Sequence, residues 1–248
     1  MLDWLMMLEI DVGNSRVKWR VIEGGAILRA STCSHDEMAN STVALHKEFA
    51  VVDRVRVASV ADSLRSALQA LAKKANVPIE FAQSVSNCAG VTNSYDRPQM
   101  LGVDRWLAML AAFNCEVRVG AAVVIDSGTS LTIDVVAETG IHMGGLILPG
   151  KQLLLESLTR NTEKVLFDPE LGDAALSLGR STQTAVLNGS LHMLVGAIHQ
   201  AIQSAGLDSS QATYFLSGGD AQLLRPYLDI ETLVVPDLVL DGLRYSLP

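Results

Sequence analysis

Short apolar runs alternate along this chain with longer stretches in which apolar residues recur every three or four positions. Val alternates with Arg at the start of the run 54–60, a period typical of strands. Leu64, Leu68 and Leu71 fall on one face of a helix, as do the apolar residues between Val186 and Ile198. Strands that alternate with helices of this length predict an α/β fold.

The pattern gives bounds for most elements. Strands are predicted to begin at residues 8 and 123 and to cover 16–22, 26–30, 54–60, 78–82, 131–136, 141–148, 212–216 and 232–235. Helices are predicted over 36–49, 63–74, 102–115 and 182–205, with a short helix after 220 and a last helix after 235. Residues 84–101 are rich in Asn, Ser, Gly and Pro, which predicts a loop.

An internal repeat relates the two halves of the chain. Residues 8–15 read LEIDVGNS and residues 123–130 read VVIDSGTS, so Ile, Asp, Gly and Ser coincide. Each copy is an apolar run, an Asp, a glycine turn and a second β-prone run, which predicts a strand, a tight turn and an antiparallel strand. We therefore expect a duplicated α/β domain with a cleft between its halves, at 1–117 and 118–248.

Composition narrows the class of protein. The 248 residues carry a formal net charge of −8, and 49% of them are apolar. A chain this apolar can bury a sizeable core, which argues against disorder. Its acidic balance argues against a general nucleic-acid binder, although a local basic patch stays open.

The cysteines and the N-terminal segment predict a cytoplasmic protein. The three cysteines are scattered and form no CxxC pair, so neither a disulfide framework nor a zinc site is expected. No run of about 18 apolar residues predicts a membrane span. Residues 1–10 hold no basic residue, unlike a signal peptide. Met1 and Met7 both remain candidate starts, since the patterned sequence begins at Leu8.

The first turn, with Lys18 beyond it, is a candidate phosphate site. Gly13 permits close approach of the backbone, and small polar side chains and backbone N–H groups of such a turn can cradle phosphate oxygens. Asp11 ends an apolar strand, where a carboxylate is costly unless it faces a cation or hydrogen-bond donors. An ordinary hairpin explains one such turn, but it does not require the same Asp-x-Gly twice.

Two later segments are candidates for nucleotide contacts. The hydroxyls and backbone of Ser127 and Thr129 suit phosphates, and Asp126 suits a cation. The segment 217–220 reads SGGD, and its paired glycines would allow a flat ligand such as adenine to lie against the backbone. A plain strand-to-helix turn is the alternative for this segment.

The segment 102–106, GVDRW, opens a predicted helix and suits a hydroxylated, acidic substrate. Asp104 is favoured near a helix N-terminus by the helix dipole, which is a structural explanation for it. It can also accept a proton from a substrate hydroxyl, while Arg105 can bind a carboxylate through its fork of N–H groups. Trp106 is expected to serve packing.

Several familiar motifs are missing from the sequence. GxxxxGK[ST] is absent, which argues against a P-loop, and neither GxGxxG after a strand nor GxSxG occurs. The five histidines show no metal-ligand spacing, and His142, beside Gly144 and Gly145, is the one of interest.

In their order along the chain, these motifs resemble the type III pantothenate kinases. The segments that carry the resemblance are DVGNSRVK at 11–18, Tyr95, LGVDRW at 101–106, IDSGT at 125–129, GGLILPG at 144–150 and SGG at 217–219. The resemblance covers nearly the whole chain. Asp-x-Gly alone is shared with the wider sugar kinase, Hsp70 and actin superfamily. Ser127 and Ser130 are mild departures from the family pattern.

The resemblance implies a fold and an activity. The fold would be two ribonuclease-H-like domains of the actin-like ATPase type, and the protein would be a cytoplasmic homodimer without membrane or nucleic-acid partners. The activity would be transfer of the γ-phosphate of ATP to pantothenate, the first step of coenzyme A synthesis. Mg²⁺ and a monovalent cation, K⁺ or NH₄⁺, would be required.

The resemblance also implies residue roles. Asp104 would be the proton acceptor, Asp126 the K⁺ ligand and Asp11 a candidate Mg²⁺ ligand. ATP would be bound by Asp11, Val12, Gly13, Asn14, Ser15, Arg16, Val17, Lys18 and Thr129. Pantothenate would be bound by Tyr95, Gly102, Val103, Asp104, Arg105 and Thr182, with Thr184 as the alternative to Thr182.

Two other functions remain open from the sequence. One is a different phosphotransferase or phosphatase of the same superfamily, acting on another hydroxylated metabolite or on polyphosphate. The other is a non-enzymatic transcription accessory factor, a role described for some relatives. The acidic charge and the lack of a basic stripe argue against direct DNA contact in that role.

Overall fold

The computed structural model describes residues 5–34, 37, 42–61, 64–162, 164–168 and 171–248. Tertiary contacts divide the chain into two compact units, Met1–Ala111 with Asp237–Pro248, and Ala112–Pro236. Two differences separate these units from the predicted ranges 1–117 and 118–248: residues 112–117 pack with the second unit, and the last twelve residues pack with the first. The first unit is therefore built from two separate segments.

Along the described part of the chain, groups of one to three strands are separated by one or two α-helices. The strands are β1 Met6–Val12, β2 Arg16–Glu23, β3 Ala26–Ser34, β4 Arg54–Ser59, β5 Ile79–Phe81, β6 Asn87–Cys88, β7 Val91–Thr92, β8 Ala121–Ser127, β9 Ser130–Val136, β10 His142–Pro149, β11 Ala212–Ser217 and β12 Thr232–Val234. The α-helices are α1 Thr42–Phe49, α2 Arg65–Ala75, α3 Val103–Phe113, α4 Lys151–Asn161, α5 Thr182–Ser204, α6 Ala221–Leu224 and α7 Leu238–Ser246. Short 3₁₀ turns cover Pro98–Met100, Ser209–Gln211 and Arg225–Tyr227.

The first unit contains a five-stranded sheet in the order β3-β2-β1-β4-β5. β2 runs antiparallel to β1 and β3, whereas β4 is parallel to both β1 and β5. Since side chains alternate across a strand, Leu8, Ile10 and Val12 of β1 share one face. They pack there against a core that includes Phe49 of α1 and Leu68 of α2.

The opposite face of this sheet carries a buried charge cluster beneath α7. The Nε atom of Arg20 lies 2.7 Å from Oε2 of Glu9, and its Nη1 atom lies 2.7 Å from Oδ1 of Asp241 in α7. Nη1 of Arg56 lies 3.5 Å from Oε1 of Glu9, which is fully buried. Burial alone would lower the pKa of Arg20, but the two carboxylates outweigh it and raise that pKa. These charges hold α7 on the sheet.

The second unit repeats the architecture. Its sheet has the order β10-β9-β8-β11-β12, with β9 antiparallel to β8 and β10, and with β11 parallel to β8 and β12. Ile125 of β8 and Leu216 of β11 pack on a core that includes Leu191 and Ile198 of α5. The same strand order in both sheets confirms the predicted duplication.

The observed bounds lie close to the predicted ones, with a few differences. β3 continues to Ser34, beyond the predicted end at residue 30, and α4 was not predicted. Of the predicted helix 36–49, residues 36 and 38–41 lie outside the described residues, as does residue 63 of the predicted helix 63–74. Within the described part of the chain, no helix combines the length and apolar character needed to cross a bilayer.

Candidate functional site

The first candidate turn joins β1 to β2 across residues 13–15. Asp11 is the penultimate residue of β1 and is the cross-strand partner of Lys18 on β2. The Gly13 N–H donates to the carbonyl of Arg16 at 3.0 Å, which closes the turn, and a Cβ at Gly13 would lie 3.3 Å from that same oxygen. The Gly13 N–H is therefore used within the turn.

Strand alternation divides the predicted ATP-binding residues into two sets. The side chains of Val12 and Val17 are fully buried in the apolar core. Asp11 and Lys18 lie on the opposite face and are partly exposed, while the residues 14–16 are exposed. Only the second set can present side-chain groups to a ligand.

Lys18 is placed next to the start of α7. Its Nζ atom lies 3.8 Å from Oδ1 of Asp237, and the two side chains are 33% and 39% exposed. Both residues line a pocket of about 210 Å³ on this face of the sheet. An exposed ion pair of this kind contributes about 0–1 kcal/mol, so a bound anion can compete for Lys18.

Tyr95 and Arg105, predicted to bind one substrate, are in direct contact. Nη1 of Arg105 donates to Oη of Tyr95 at 2.9 Å, and the guanidinium carbon lies 5.8 Å from the ring centroid. Arg105 is 6% exposed. Buried Asn93 fixes the loop, since its Oδ1 accepts from the Tyr95 N–H and its Nδ2 donates to the carbonyl of Pro98. Tyr95 is thus anchored through both its backbone and its hydroxyl.

Asp104 lies in the first turn of α3, immediately after Val103 begins the helix. Its Oδ1 atom accepts from the Arg105 N–H at 2.8 Å. A Cβ on Gly102 would lie 2.6 Å from this same Oδ1 atom, well inside van der Waals contact. The carboxylate therefore occupies space that only glycine leaves open at position 102.

An open depression of about 510 Å³ lies in the loop that precedes α3, the helix of Asp104. Its lining residues are Ser94, Tyr95, Asp96, Arg97 and Met100. They combine hydroxyl groups, charges of both signs and one exposed apolar side chain. A small ligand with both polar and apolar parts suits such a surface.

The second candidate turn joins β8 to β9 across residues 128–129. Asp126 is the penultimate residue of β8, as Asp11 is of β1, and its cross-strand partner on β9 is Thr132. The Gly128 N–H donates to the carbonyl of Ser130 at 2.9 Å, which closes a turn one residue shorter than the first. The repeated motif thus forms a tight turn between antiparallel strands in both units, with three residues in the first turn and two in the second.

Gly218 lies directly against this second turn. A Cβ on Gly218 would lie 2.6 Å from Oδ1 of Asp126 and would overlap the carbonyl oxygen of Ser127. Its φ of +90° is a further reason for glycine at this position. Close packing against Asp126 and Ser127 therefore requires glycine at position 218, while contact of the glycine pair with a flat ligand stays a prediction.

Gly150 and Asp220 complete the surroundings of the second turn. The Gly150 N–H donates to the carbonyl of Thr129 at 3.0 Å, and a Cβ there would overlap the carbonyl oxygen of Gly128. The Asp220 N–H donates to the carbonyl of Ser127 at 2.9 Å. Burial raises the pKa of the Asp220 carboxyl, and the positive charge of Lys151 opposes this without cancelling it.

Thr182 and Thr184 stand at the start of α5, where the structure separates their roles. Oγ1 of Thr184 accepts from the backbone N–H groups of Arg180 and Ser181 at 3.0 and 3.1 Å, and the Ser181 hydroxyl accepts from the Thr184 N–H. This capping box commits the Thr184 hydroxyl to the helix end. Thr182 is the exposed first residue of the helix.

The acids at the two turns suit hard cations. Carboxylate and carbonyl oxygens are the ligands such ions prefer. Around Asp126, the Oδ1 atom and the carbonyl oxygen of Ser127 both pack closely against Gly218, so two such oxygens lie near one another. Among the described residues, no three His, Cys, Asp or Glu side chains cluster, so a transition-metal site is not indicated there. His142 is buried and lies 3.1 Å from Oδ1 of Asp134.

Some residues that shape these sites were not found from the sequence. Asn93, which anchors Tyr95, and Ser84, whose hydroxyl donates to the carbonyl of Leu101 at 2.8 Å, both lie in or beside the loop before α3. Asp237 and Lys151 come close to the turns only through tertiary structure. Motif spacing gives no signal for them, apart from the glycine that precedes Lys151.

Sequence comparison identifies close relatives of the chain. The family model described as type III pantothenate kinase matches residues 7–204. A type III pantothenate kinase of Ectopseudomonas mendocina is 39% identical over 249 residues, which cover 98% of this chain and 99% of the relative. One from Alcanivorax borkumensis is 37% identical over 244 residues, with 96% and 97% covered.

Solved structures show the same fold at lower identity. A Campylobacter jejuni protein described as a Baf family transcriptional activator has a TM-score of 0.64 at 21% identity, covering 96% of this chain and 95% of that one. Component A of the (R)-2-hydroxyglutaryl-CoA dehydratase of Acidaminococcus fermentans has a TM-score of 0.53 at 15% identity, covering 98% and 96%. With the two sheets of equal strand order, these matches confirm the predicted α/β fold of two ribonuclease-H-like halves.

Proposed function

Because this chain belongs to the type III pantothenate kinase family, we propose that it transfers the γ-phosphate of ATP to the hydroxyl of pantothenate. The product is 4'-phosphopantothenate, and the reaction opens coenzyme A biosynthesis. The observation that carries this proposal is the family match over residues 7–204, which includes the Asp-x-Gly turns and the segment 102–106. The alternatives, another phosphotransferase, a phosphatase or a transcription accessory factor, have no comparable support.

Asp104 is the proposed proton acceptor. Its carboxylate is oriented by the hydrogen bond from the Arg105 N–H and by the absence of a side chain at Gly102. Phosphoryl transfer depends mainly on alignment and on neutralisation of charge. Asp104 therefore needs only to hold the pantothenate hydroxyl in line and to take its proton as the new P–O bond forms.

Arg105 and Tyr95 are the proposed anchors for pantothenate, together with Gly102, Val103 and Thr182. Arg105 presents five N–H donors, and its link to Tyr95 uses one of its terminal nitrogens. The guanidinium can thus hold a carboxylate through a charge-assisted bond while the tyrosine fixes its position. The use of the Thr184 hydroxyl in the helix cap supports Thr182, rather than Thr184, as the further contact.

Residues 11–18 and Thr129 are the proposed contacts for ATP. Lys18, the exposed groups of Asn14, Ser15 and Arg16, and the Thr129 hydroxyl would hold the phosphates. Asp11 would hold Mg²⁺ and Asp126 would hold K⁺ or NH₄⁺, each through its carboxylate. When bound, these cations offset negative charge on the phosphates.

We also propose that the protein is a cytoplasmic homodimer without nucleic-acid or membrane partners. The net charge of −8 supports the absence of nucleic-acid binding. The second unit exposes large apolar side chains, including Ile147 at 64%, Leu166 at 79% and Leu178 at 93%. Exposed apolar surface of this kind is typical of a protein interface and supports the dimer.

A coupled assay of ADP release tests the function. We expect ADP to appear only with ATP and pantothenate together, and faster in K⁺ or NH₄⁺ than in Na⁺. ADP release at equal rate without pantothenate would instead indicate a phosphatase or ATPase. A larger kcat/KM for another hydroxylated acid would overturn pantothenate as the substrate.

A further inference from the structure

We propose that Lys151 is a further nucleotide-binding residue, which contacts the polyphosphate tail of the nucleotide at the second turn. This inference rests on the proposed function, because it takes the turn 128–129 to face ATP. It adds a positively charged side chain to a part of the site for which the sequence motifs supply only acids and hydroxyls.

The backbone fixes Lys151 close to the turn. Gly150, its neighbour, donates to the carbonyl of Thr129 at 3.0 Å, and its Cα lies so near the carbonyl oxygen of Gly128 that a Cβ would overlap it. Lys151 is the next residue and begins α4. The chain therefore brings the lysine to the turn with little freedom in the backbone.

The duplication shows why a cation is needed there. In the first sheet, Asp11 is the cross-strand partner of Lys18, so an acid and a lysine stand side by side. In the second sheet, the partner of Asp126 is Thr132, which is uncharged. A triphosphate is strongly anionic, and the second turn presents Asp126 and Asp220 near it. Lys151 supplies from α4 the positive charge that β9 does not provide.

The charge of Lys151 is not consumed by Asp220. Lys151 acts electrostatically on that carboxyl, which places both groups in the same surroundings. Burial nevertheless keeps the pKa of Asp220 raised, so the lysine does not stabilise the carboxylate as a close ion-pair partner would. Among the described residues, no carboxylate oxygen lies within 4.0 Å of the Lys151 Nζ atom. Lys151 is half-buried as a residue, so its side chain is in part accessible to an anion in solution.

The direct test is nucleotide binding to the full chain with Lys151→Met, and with Lys164→Met as the control. Lys164 is an exposed lysine of the same unit. Isothermal titration calorimetry with ATP, ADP and adenosine separates the phosphates from the nucleoside. We expect Lys151→Met to weaken ATP binding about tenfold and to flatten its salt dependence, since a charge-assisted contact is lost. Adenosine binding and the Lys164→Met protein should be unchanged. Equal losses for ATP and adenosine, or no loss, would overturn the proposal.

Two further variants keep the outcome interpretable. Lys151→Arg retains the charge and should retain most of the ATP affinity, which separates charge from folding. In an Asp220→Asn background, Lys151→Met should still weaken ATP binding, whereas loss of the effect would mean that the lysine interacts only with Asp220.

ATP binding is measured without pantothenate, so its outcome is independent of the kinase assay. A wild-type protein that binds ATP but does not phosphorylate pantothenate would overturn the proposed function and leave this inference standing.

Discussion

Asp11 and Asp126 occupy the same position, the penultimate residue of the first strand, in two sheets of identical strand order. Their surroundings have diverged. Asp11 faces Lys18 across the strands, whereas Asp126 lies beneath the Cα of Gly218. A carboxylate beside a lysine and a carboxylate packed closely against a glycine are suited to different partners. We infer that both copies of the duplicated unit retained the Asp while its surroundings changed. This agrees with the proposal that Asp11 binds Mg²⁺ and Asp126 binds K⁺.

Asp104→Asn tests the proton acceptor. The amide oxygen can still accept the Arg105 N–H, so the local structure should persist while the base is lost. We expect kcat to fall about 10²- to 10⁴-fold, with ATP affinity unchanged within about twofold. Steady-state kinetics and calorimetry measure the two quantities. The exposed Asp229→Asn protein is the control, and near-normal turnover by Asp104→Asn would remove Asp104 from this role.

Gly102→Ala tests whether the space beside Asp104 matters. The added Cβ would lie 2.6 Å from Oδ1, so the carboxylate must move by several tenths of an ångström or more. Misplacement on this scale predicts a loss of about 10²-fold in kcat/KM for pantothenate. Gly189→Ala in α5 is the matched control, because nothing lies within 4 Å of its Cβ. That control should be active and slightly more stable, and equal activity of the two variants would contradict the prediction.

Tyr95→Phe tests the anchor of Arg105. The variant removes the Tyr95 hydroxyl, which accepts from the Arg105 guanidinium at 2.9 Å. Arg105 is only 6% exposed, so water cannot easily replace this acceptor and the position of the guanidinium should become less defined. We expect KM for pantothenate to rise about 5- to 10-fold, with little change in kcat or in KM for ATP. The control is Tyr245→Phe, which removes the hydroxyl that accepts from Arg244 at the same distance of 2.9 Å but in an exposed pair. Similar kinetics for both variants would disprove a specific role.

Arg20→Met tests the buried charge cluster under α7. Glu9 would keep only Arg56, at 3.5 Å, as a charged partner in the cluster. Loss of one member of a buried pair predicts a decrease of about 3–5 kcal/mol in the free energy of unfolding. Adding Glu9→Gln should recover part of this. Urea denaturation measures the free energy of unfolding of each variant. The control is Arg160→Met, because the exposed pair of Arg160 with Glu156 contributes less than about 1 kcal/mol. Equal costs for the two arginines would contradict the prediction.

Asp220→Asn tests the raised pKa of this carboxyl. An acid with a higher pKa in the folded than in the unfolded state stabilises the fold when protonated, and that contribution is lost as pH rises through the folded pKa. The ligand-free variant should therefore melt at a higher temperature than the wild type at pH 7. The difference should shrink toward about pH 4, the usual pKa of Asp, and below. Calorimetric scans at several pH values check this, with exposed Asp173→Asn as the control; a variant less stable than the wild type at pH 7 would refute it.

The sequence predicted the turns well because their requirements are local. An Asp at the end of an apolar strand followed by glycine constrains the backbone within a few residues, and both turns have the expected form. Helix α4 was missed because Leu153, Leu154 and Leu155 are consecutive, so the helical period is not distinct. Lys151, its first residue, was missed with it.

Contacts between distant residues could not be predicted from spacing. Arg20 and Asp241 are 221 positions apart, and no local pattern assigns the last helix to the first unit. The glycine pair at 218–219 was recognised, but the reason for Gly218 is the Asp126 carboxylate across a parallel strand pair. Pairings of this kind depend on strand order, which becomes visible only in the folded sheet.

The position of α7 has a consequence for biosynthesis. A ribosome makes the first sheet early, but the helix that covers its Glu9, Arg20 and Arg56 face is made only after the whole second unit. Until then, charged groups that the mature protein buries remain open to water, and the first unit lacks its closing helix. Domains usually fold in order of synthesis. Here the first unit is completed only after the second has been made, so a released chain that ends before residue 237 should hold a folded second unit and an unfinished first one.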